Sequence, residues 1–474
     1  MRSPQPFLAE SRAAEPALPR GIAVATGIYL LTRLVVWVAA YAGAVVFFRI
    51  EEHIEPPFSY RINELQAEFA KPDSALRRRW IELLGNFSPL LWWDSGHYRS
   101  ILERGYSYSP PTPGEPEESA QHNIAFFPFF PLLCAPLAPL IGARAAMVLV
   151  ANTCGLVACV LAYAWLRRRL PHGVALLAVA VVCCWPPACF YSFGYSESTA
   201  LMLTAATLLL IDCGRFWPAA LTCGLATAAR PTALSLVIAL LAAYVWSSRK
   251  SGDRERAGEH RTLAGATADD APAGGRRSPR LGAWSRELPR VVALAIVGAS
   301  GVIAYAVYLA HRFGSPLVYF ANYQAGWNDP SSRAPWNEFL TLQPIWRGLR
   351  PLRLVIADLP ASLVGLAGPM TWNMPCTLAM VGLSIAGTLR GPTWLRPVAP
   401  LGALIFVHHY FSCGGADFSL ESAARYTTVA LPGLVFLALG LARASAAVRI
   451  ASIAAMLLLE ASWAFQFGMH EWAG

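Results

Sequence analysis

Apolar positions along this chain gather into long blocks. Gly21–Phe48, Ala145–Leu166, Val174–Phe190 and Arg290–Leu309 are nearly free of charge. About 20 apolar residues at ~1.5 Å rise per residue cross the hydrocarbon core of a bilayer, so these blocks are long enough to span one as helices. Extending the pattern predicts an all-α polytopic membrane protein of about eleven transmembrane helices. They fall near 21–48, 145–166, 172–192, 197–213, 217–229, 231–247, 288–310, 372–389, 397–411, 427–443 and 450–467. The first block exceeds the apolar region of a signal peptide and lacks a clean small-residue cleavage site, so it is expected to stay as an anchor. The pair on either side of Arg230 is short and reads as half-helices meeting within the membrane, which is tolerated only where backbone is buried or lines a cavity. Two further apolar stretches, 125–141 and 352–369, would break the charge pattern if they crossed, and are read as re-entrant or surface-lying.

Charge orients these spans. Arg167, Arg168 and Arg169, the Arg249–Arg290 stretch, and Arg2, Arg12 and Arg20 ahead of the first block mark the cytoplasmic side by the positive-inside rule. The organisation expected is a cytoplasmic tail (1–20), a membrane module (21–247) holding a long extracytoplasmic loop at 49–144, a disordered basic cytoplasmic linker (248–289), and a second membrane module (290–474). Another outer loop runs through about 311–371. Arg77, Arg78 and Arg79 lie in the first outer loop against the trend, which long translocated loops tolerate.

Composition agrees. The chain is 55% hydrophobic and only 14% charged, against about 25% charged in an ordinary soluble protein. A net charge of +9 would suggest nucleic acid in a soluble chain. Here the basic residues flank apolar blocks, so topology accounts for them and no nucleic-acid partner is expected. Lysine occurs only at Lys71 and Lys250 in an alanine-rich chain. That bias suggests a GC-rich bacterial genome, and with it the inner membrane. The cysteines (134, 154, 159, 183, 184, 189, 213, 223, 376 and 413) form no CxxC or Cys/His pattern and lie mostly within apolar blocks, where Cys behaves as a small hydrophobe. Neither disulfides nor zinc are expected.

The first outer loop carries candidate chemistry. Read as a helix, the segment opening at Trp92 and Trp93 sets Asp94, His97, Tyr98 and Ile101 on one face at i, i+3, i+4 and i+7. Gly105 suits the left-handed residue that closes such a helix. An interfacial amphipathic helix whose Asp caps its own N-terminus would show the same pattern. Further on, Pro128 and Pro131 break the aromatic run Phe126–Pro131, which is either a wall for a lipid chain or sugar ring or a kinked membrane entry. Ser109–Glu118, rich in proline and acid, is expected to form a mobile flap. Arg33, Arg230 and Arg425 sit within or beside apolar blocks, where a guanidinium faces a cavity, pairs with a carboxylate or snorkels. Glu197 lies at the outer mouth of a span, on the side expected for Asp94.

Taken in order, Trp93-Asp94, His97-Tyr98, Ile101, Gly105-Tyr106, the run Phe126–Pro131, Tyr195-Ser196-Glu197-Ser198, Ala229-Arg230-Pro231, Pro316, Phe320, Gln324, Trp327, Arg425-Tyr426 and Pro432 resemble the PIG-V family of mannosyltransferases. The basic insert at 249–290 departs from that pattern. The resemblance implies a GT-C-like fold, a polyprenyl-phosphate sugar donor and an extracytoplasmic active site, and leaves the acceptor, a lipid or glycan, unspecified. It also implies that Asp94 is the general base and that Arg230 and Arg425, with Arg33 third, neutralise the leaving phosphate. His97 and Tyr98 would bind sugar or phosphate, Glu197 would orient the acceptor, and Gln324 and Trp327 would line the pocket. One base and no protein nucleophile point to inversion. No ligand cluster settles whether a divalent metal takes part. A transporter would share the many spans and buried arginines, but unequal halves speak against it. A ligase or polymerase of envelope polysaccharide would consume a diphosphate-linked glycan instead.

Overall fold

A computed structural model of the chain describes residues 18–51, 85, 87–110, 122–264, 280–326, 342–357, 368–412, 420 and 422–470. Every regular element among these described residues is helical. The helices are α1 Leu18–Glu51, α2 Asp94–Arg104, α3 Phe129–Cys134, α4 Ala138–Ile141, α5 Ala143–Arg167, α6 His172–Cys184, α7 Glu197–Asp212, α8 Phe216–Ala229, α9 Leu234–Ala264, α10 Arg280–Gly298, α11 Ser300–Phe313, α12 Val318–Gly326, α13 Gln343–Gly348, α14 Arg350–Ala357, α15 Pro369–Arg390, α16 Leu401–Ser412, α17 Ala423–Thr427, α18 Leu431–Leu441 and α19 Ala446–Gly468. Short 3-10 turns stand at Ser88–Leu90, Asn123–Ala125, Pro186–Tyr191 and Pro231–Ala233.

The eleven spans expected from hydropathy resolve differently. Among the described residues, Leu18–Val46, Ala143–Arg167, Pro231–Arg249 and Ala446–Gly468 are long and apolar enough to cross a membrane. A fifth arises if Glu287–Gly298 and Ser300–Phe313, bent by 56°, form one broken span. His172–Cys184, Phe216–Ala229, Leu401–Phe411 and Leu431–Leu441 are apolar but shorter. Length is what separates the two descriptions, since a window of apolar residues counts loops and 3-10 turns along with helix. The chain is an integral membrane protein built as a helical bundle.

Local chemistry explains the main boundaries. Pro19 falls in the first turn of α1, where its missing N–H is not needed. Arg230 precedes Pro231 and adopts an extended backbone (φ −155°, ψ 139°), because a residue before proline is driven out of the α region. This break ends α8, but α9 then runs on to Ala264 rather than stopping as a half-helix. Helix thus occupies both ends of the stretch read as a disordered linker, up to Ala264 and again from Arg280, as its Ala, Arg and Glu content favours. Residues 265–279 lie outside the described residues, as do Arg77–Arg79 and most of the expected flap at 109–118. The stretch 125–141 is broken into α3 and α4, each too short to cross. Of 352–369, residues 352–357 belong to α14 and Pro369 opens α15, while 358–367 lie outside the described residues.

Glycines let helix backbones approach closely. A Cβ on Gly301 would lie 2.2 Å from the carbonyl oxygen of Gly224 and 2.3 Å from the nitrogen of Ala228. The backbones of α8 and α11 therefore touch directly, the close approach that small residues permit in membrane helices. Elsewhere α1 packs against α5 and α19, with Tyr29, Tyr163, Trp165 and Trp463 fully buried among them.

A buried ion pair ties this bundle together. Arg33 on α1 reaches Glu460 on α19 at 2.5 Å, and donates to the carbonyl oxygens of Cys183 (2.8 Å) and Ala188 (2.6 Å). Arg33 is 4% exposed and Glu460 fully buried. One guanidinium thus fixes the end of α6 and the 3-10 turn Pro186–Tyr191 against two membrane helices.

Two outcomes follow for stability in detergent, read by thermal unfolding of the purified protein. Gly301→Ala is expected to destabilise by about 1–3 kcal/mol through overpacking, whereas Gly27→Ala, whose Cβ meets nothing within 4 Å, leaves stability unchanged. Glu460→Ala strands a buried cation and is expected to cost about 3–5 kcal/mol, with the Arg33→Met/Glu460→Met double variant less damaged than either single one.

Candidate active site

The expected one-face helix is present as α2. Trp93 at its N-cap has φ 53° and ψ −119°, a conformation that side chains rarely adopt, and Phe87 lies at φ 62°. Strain of this kind persists where the surroundings over-determine it. Here the surroundings are the loop before α7: Gly194 N–H donates to the carbonyl of Leu90 (3.1 Å), and the Tyr195 hydroxyl to that of Trp92 (2.9 Å). Tyr98 on α2 then donates to Ser196 Oγ at 2.9 Å. These bonds hold the starts of α2 and α7 side by side. Asp94 and Glu197 each stand in the first turn of their helix, where the positive end of the helix dipole favours a carboxylate. Asp94 caps nothing with its side chain, since no side-chain cap bond forms at this end. Gly105 closes α2 with its N–H on the carbonyl of Ile101, at a positive φ of 77° but with ψ −171°, an extended conformation open to glycine rather than the left-handed helical one expected.

Arg425 arrives from the far end of the chain on α17. Asn373 of α15 positions that short helix, accepting from Ala424 N–H (2.9 Å) and donating to the carbonyl of Leu420 (2.7 Å). The Tyr191 hydroxyl donates to the carbonyl of Thr428 at 2.8 Å. Arg425 Nη1 lies 2.8 Å from Asp94 Oδ2, and its Nε lies 3.3 Å from Glu197 Oε1. Arg230, presented by the break ahead of Pro231, pairs with the same Glu197 oxygen. Four residues spread across the sequence therefore form one chain of alternating charge, Asp94–Arg425–Glu197–Arg230. Glu197 is 1% exposed and Arg425 4%, while the Asp94 side chain keeps 17% of its surface open. Glu197 Oε2 has no hydrogen-bond partner among the described residues.

Aromatic rings enclose the cations. The Arg230 guanidinium carbon lies 4.6 Å from the Tyr426 ring centre, and that of Arg425 lies 5.3 Å from both Tyr195 and Tyr426 and 5.4 Å from Phe190. Cation–π contact of this kind strengthens once water is excluded. His97 stacks on Phe126 (4.5 Å between centroids, 12° between planes). Burial pushes its imidazole below the ordinary 6.5, with Asp94 opposing and His122 adding to the shift, so His97 is neutral at pH 7. Within the aromatic run, Phe126 and Phe130 pack edge-on against Tyr98 at 5.2 and 5.0 Å, and Phe127 lies tilted against Tyr305 at 4.8 Å, so the run packs against both α2 and α11.

Of the residues singled out in the sequence, Asp94, Glu197, Arg230 and Arg425 are brought together, with His97 and Tyr98 on the adjoining face. Arg33 is engaged by Glu460 and two carbonyls instead, which is the pairing that a membrane arginine adopts when it is structural. Gln324 lies on α12, and its side chain and the whole of Trp327 fall outside the described residues. Asn373 escaped the sequence reading, although a polar side chain inside an apolar block was the signal that could have found it. Among the described residues no three His, Cys, Asp or Glu converge as a metal site.

This geometry stands in a segment with relatives. The family model described as Mannosyltransferase (PIG-V) matches residues 44–245. The human protein named GPI alpha-1,6-mannosyltransferase 2 is 30% identical over 165 residues, covering 32% of this chain and 30% of its own length. The mouse protein of that name is 32% identical over 165 residues, and the Chinese hamster (Cricetulus griseus) one is 32% identical over 171 residues, covering 34% of this chain and 32% of its own length. The matched segment spans only about a third of the length of these curated relatives. The family match over residues 44–245 contains Asp94, Glu197 and Arg230 but not Arg425, which the bundle supplies from beyond its end. Over residues 44–245, then, this membrane protein matches the mannosyltransferase (PIG-V) family that its motifs resemble.

Proposed function

We propose that the chain is a membrane glycosyltransferase that moves a hexose, mannose by its family match, from a polyprenyl-phosphate donor to a lipid or glycan acceptor at the extracytoplasmic face. The observation that carries this reading is the contact of Asp94 with Arg425, with Glu197 bridging on to Arg230. It places a reachable carboxylate beside two buried cations, which is what acid–base transfer from a phosphate leaving group needs.

In the reaction, Asp94 accepts the proton of an acceptor hydroxyl as that oxygen bonds to C1 of the sugar. The C1–O bond to phosphate breaks, and its electron pair leaves with the phosphate. Arg230 and Arg425 stabilise the charge that collects there through charge-assisted hydrogen bonds. Glu197 keeps both guanidiniums aligned, and its free oxygen can accept a hydrogen bond from substrate. With a single displacement at C1, the anomeric configuration inverts. Neutral His97 supplies one donor and one acceptor to a sugar hydroxyl. Substrate phosphate and the two carboxylates compete for the same guanidiniums, so donor binding loosens Arg425 from Asp94 and frees that carboxylate to act as base.

The test uses purified protein, polyprenyl-phosphate mannose and a lipid extract. Asp94→Asn is expected to lower the transfer rate by about 10²–10⁴-fold, the usual worth of a general base, without loss of folded protein. Retention of most activity would falsify the assignment of the base. Arg425→Lys keeps the charge but loses the planar fork that reaches Asp94 and Glu197 together. It is expected to raise KM for the donor as well as lower kcat, and a change confined to KM for the acceptor would move Arg425 out of the donor site.

A further inference from the structure

The end of α19 meets the candidate active site at two points that the mechanism above does not use. Glu460, Trp463, Ala464, Phe467 and Gly468 form the buried face of this helix, and His470 follows one turn beyond Phe467. Phe467, 1% exposed, stacks on Phe193 with ring centres 4.0 Å apart and 11° between planes. Phe193 stands in the loop that leads to Tyr195, Ser196 and Glu197. The His470 ring lies 4.4 Å from that of Trp92 and 5.0 Å from that of Trp93, the two residues ahead of Asp94. One helix end therefore touches the approach to each carboxylate.

That end is anchored on α1. A Cβ on Gly468 would run into the carbonyl oxygen of Ala40, and one on Gly43 into that of Phe465, so the two backbones touch there. Met469 N–H donates to the carbonyl of Phe465 and His470 N–H to that of Phe467, each at 3.0 Å, which closes the helix. His470 takes φ 64°, in the left-handed region where glycine or asparagine usually ends a helix. A histidine gains nothing from the backbone at such a position; what it contributes is its ring. The partner of that ring is strained as well. Trp93 holds φ 53° while 42% exposed, so burial alone does not secure it.

We infer that His470 is a positioning residue for the transfer reaction: stacked on Trp92 and Trp93, it holds the turn that aims Asp94. The inference rests on the reading of Asp94 as the base. Asp94 directly follows the strained Trp93, so a turn that relaxed toward ordinary dihedrals would swing the carboxylate away. Gly96 N–H on the carbonyl of Trp93 (2.8 Å) and the Tyr195 hydroxyl on that of Trp92 (2.9 Å) hold the backbone of the turn, and His470 holds its rings. Misplacing a reacting group by about 1 Å costs on the order of 10²-fold in rate. Donor affinity is set by Arg230 and Arg425, which other elements present, so the effect of His470 falls on kcat.

His470→Gly discriminates, because glycine suits the left-handed backbone and only the ring is lost. In the purified full chain, assayed with polyprenyl-phosphate mannose and a lipid extract, kcat is expected to fall about tenfold while KM for the donor and thermal stability hold. Hydrogen exchange over residues 92–97 is expected to speed up about tenfold, with exchange over 460–466 unchanged. His470→Phe, which restores an aromatic face, is expected to recover both. Should the helix end fray in the glycine variant, His470→Asn keeps the left-handed cap without an aromatic ring and reads the same quantities. A residue that only capped α19 would give the reverse order, with glycine and asparagine harmless and phenylalanine damaging, and that order overturns the inference. So does a loss confined to KM for the donor, or unchanged exchange over 92–97 in the ringless variants. The exchange readout needs no turnover. An Asp94→Asn enzyme that keeps its activity would sink the base assignment and leave the exchange result standing, whereas unchanged exchange would leave the mechanism untouched.

Discussion

Two guanidiniums and two carboxylates held almost out of water, within a bundle that is otherwise apolar, set the terms for this protein. Removing either of the two inner members, Arg425 or Glu197, takes an ion-pair partner from a neighbour on each side, and several kilocalories per mole are at stake there. The chain must therefore deliver Asp94, Glu197, Arg230 and Arg425 to one place together or not at all. Much of the surrounding structure is readable as the means of doing so. The strained turn at Trp93, the proline break after Arg230, and the short helix steadied by Asn373 each present one member of the set.

The bundle holds a second buried pair, Arg33 with Glu460, and comparison of the two is instructive. Arg33 gives donors to Glu460 and to two backbone carbonyls, while its Nε and Glu460 Oε2 find no hydrogen-bond partner among the described residues. The larger cluster keeps an opening at Asp94 and an unsatisfied oxygen on Glu197. The first pair, fully buried at Glu460, stiffens the fold, whereas a cluster with a partly exposed carboxylate at Asp94 can exchange protein partners for substrate. The turn Pro186–Tyr191, fixed by Arg33, leads directly into the loop that carries Tyr195 and Glu197. Rigidity in one cluster thus supports precision in the other.

The sequence showed part of this plainly. The membrane character follows from the apolar blocks alone, and the face formed by Asp94, His97 and Tyr98 follows from helical spacing, which α2 reproduces. The break at Arg230 was legible because proline constrains the residue before it. What the sequence hid was long-range: whether Arg33 belonged with Arg425 or with Glu460 depends on how α1 meets α19, and no local pattern encodes that. Asn373 stood out as a polar residue in an apolar block, but its partners, backbone atoms about fifty residues away, were hidden in the same way. The count of about eleven spans rests on apolar windows, while four described helices, or five with the bent pair, also have the length to cross.

Three members of the charged set lie within residues 44–245, and the fourth stands at 425. Taken alone, the matched segment supplies two carboxylates and one guanidinium of the set, one more negative than positive charge. Likeness across that segment therefore certifies the scaffold but not a working centre. A homologous chain that had lost its distal arginine would still look like kin, yet would bury an unbalanced acid. Whether such a chain is an enzyme has to be read from its C-terminal third.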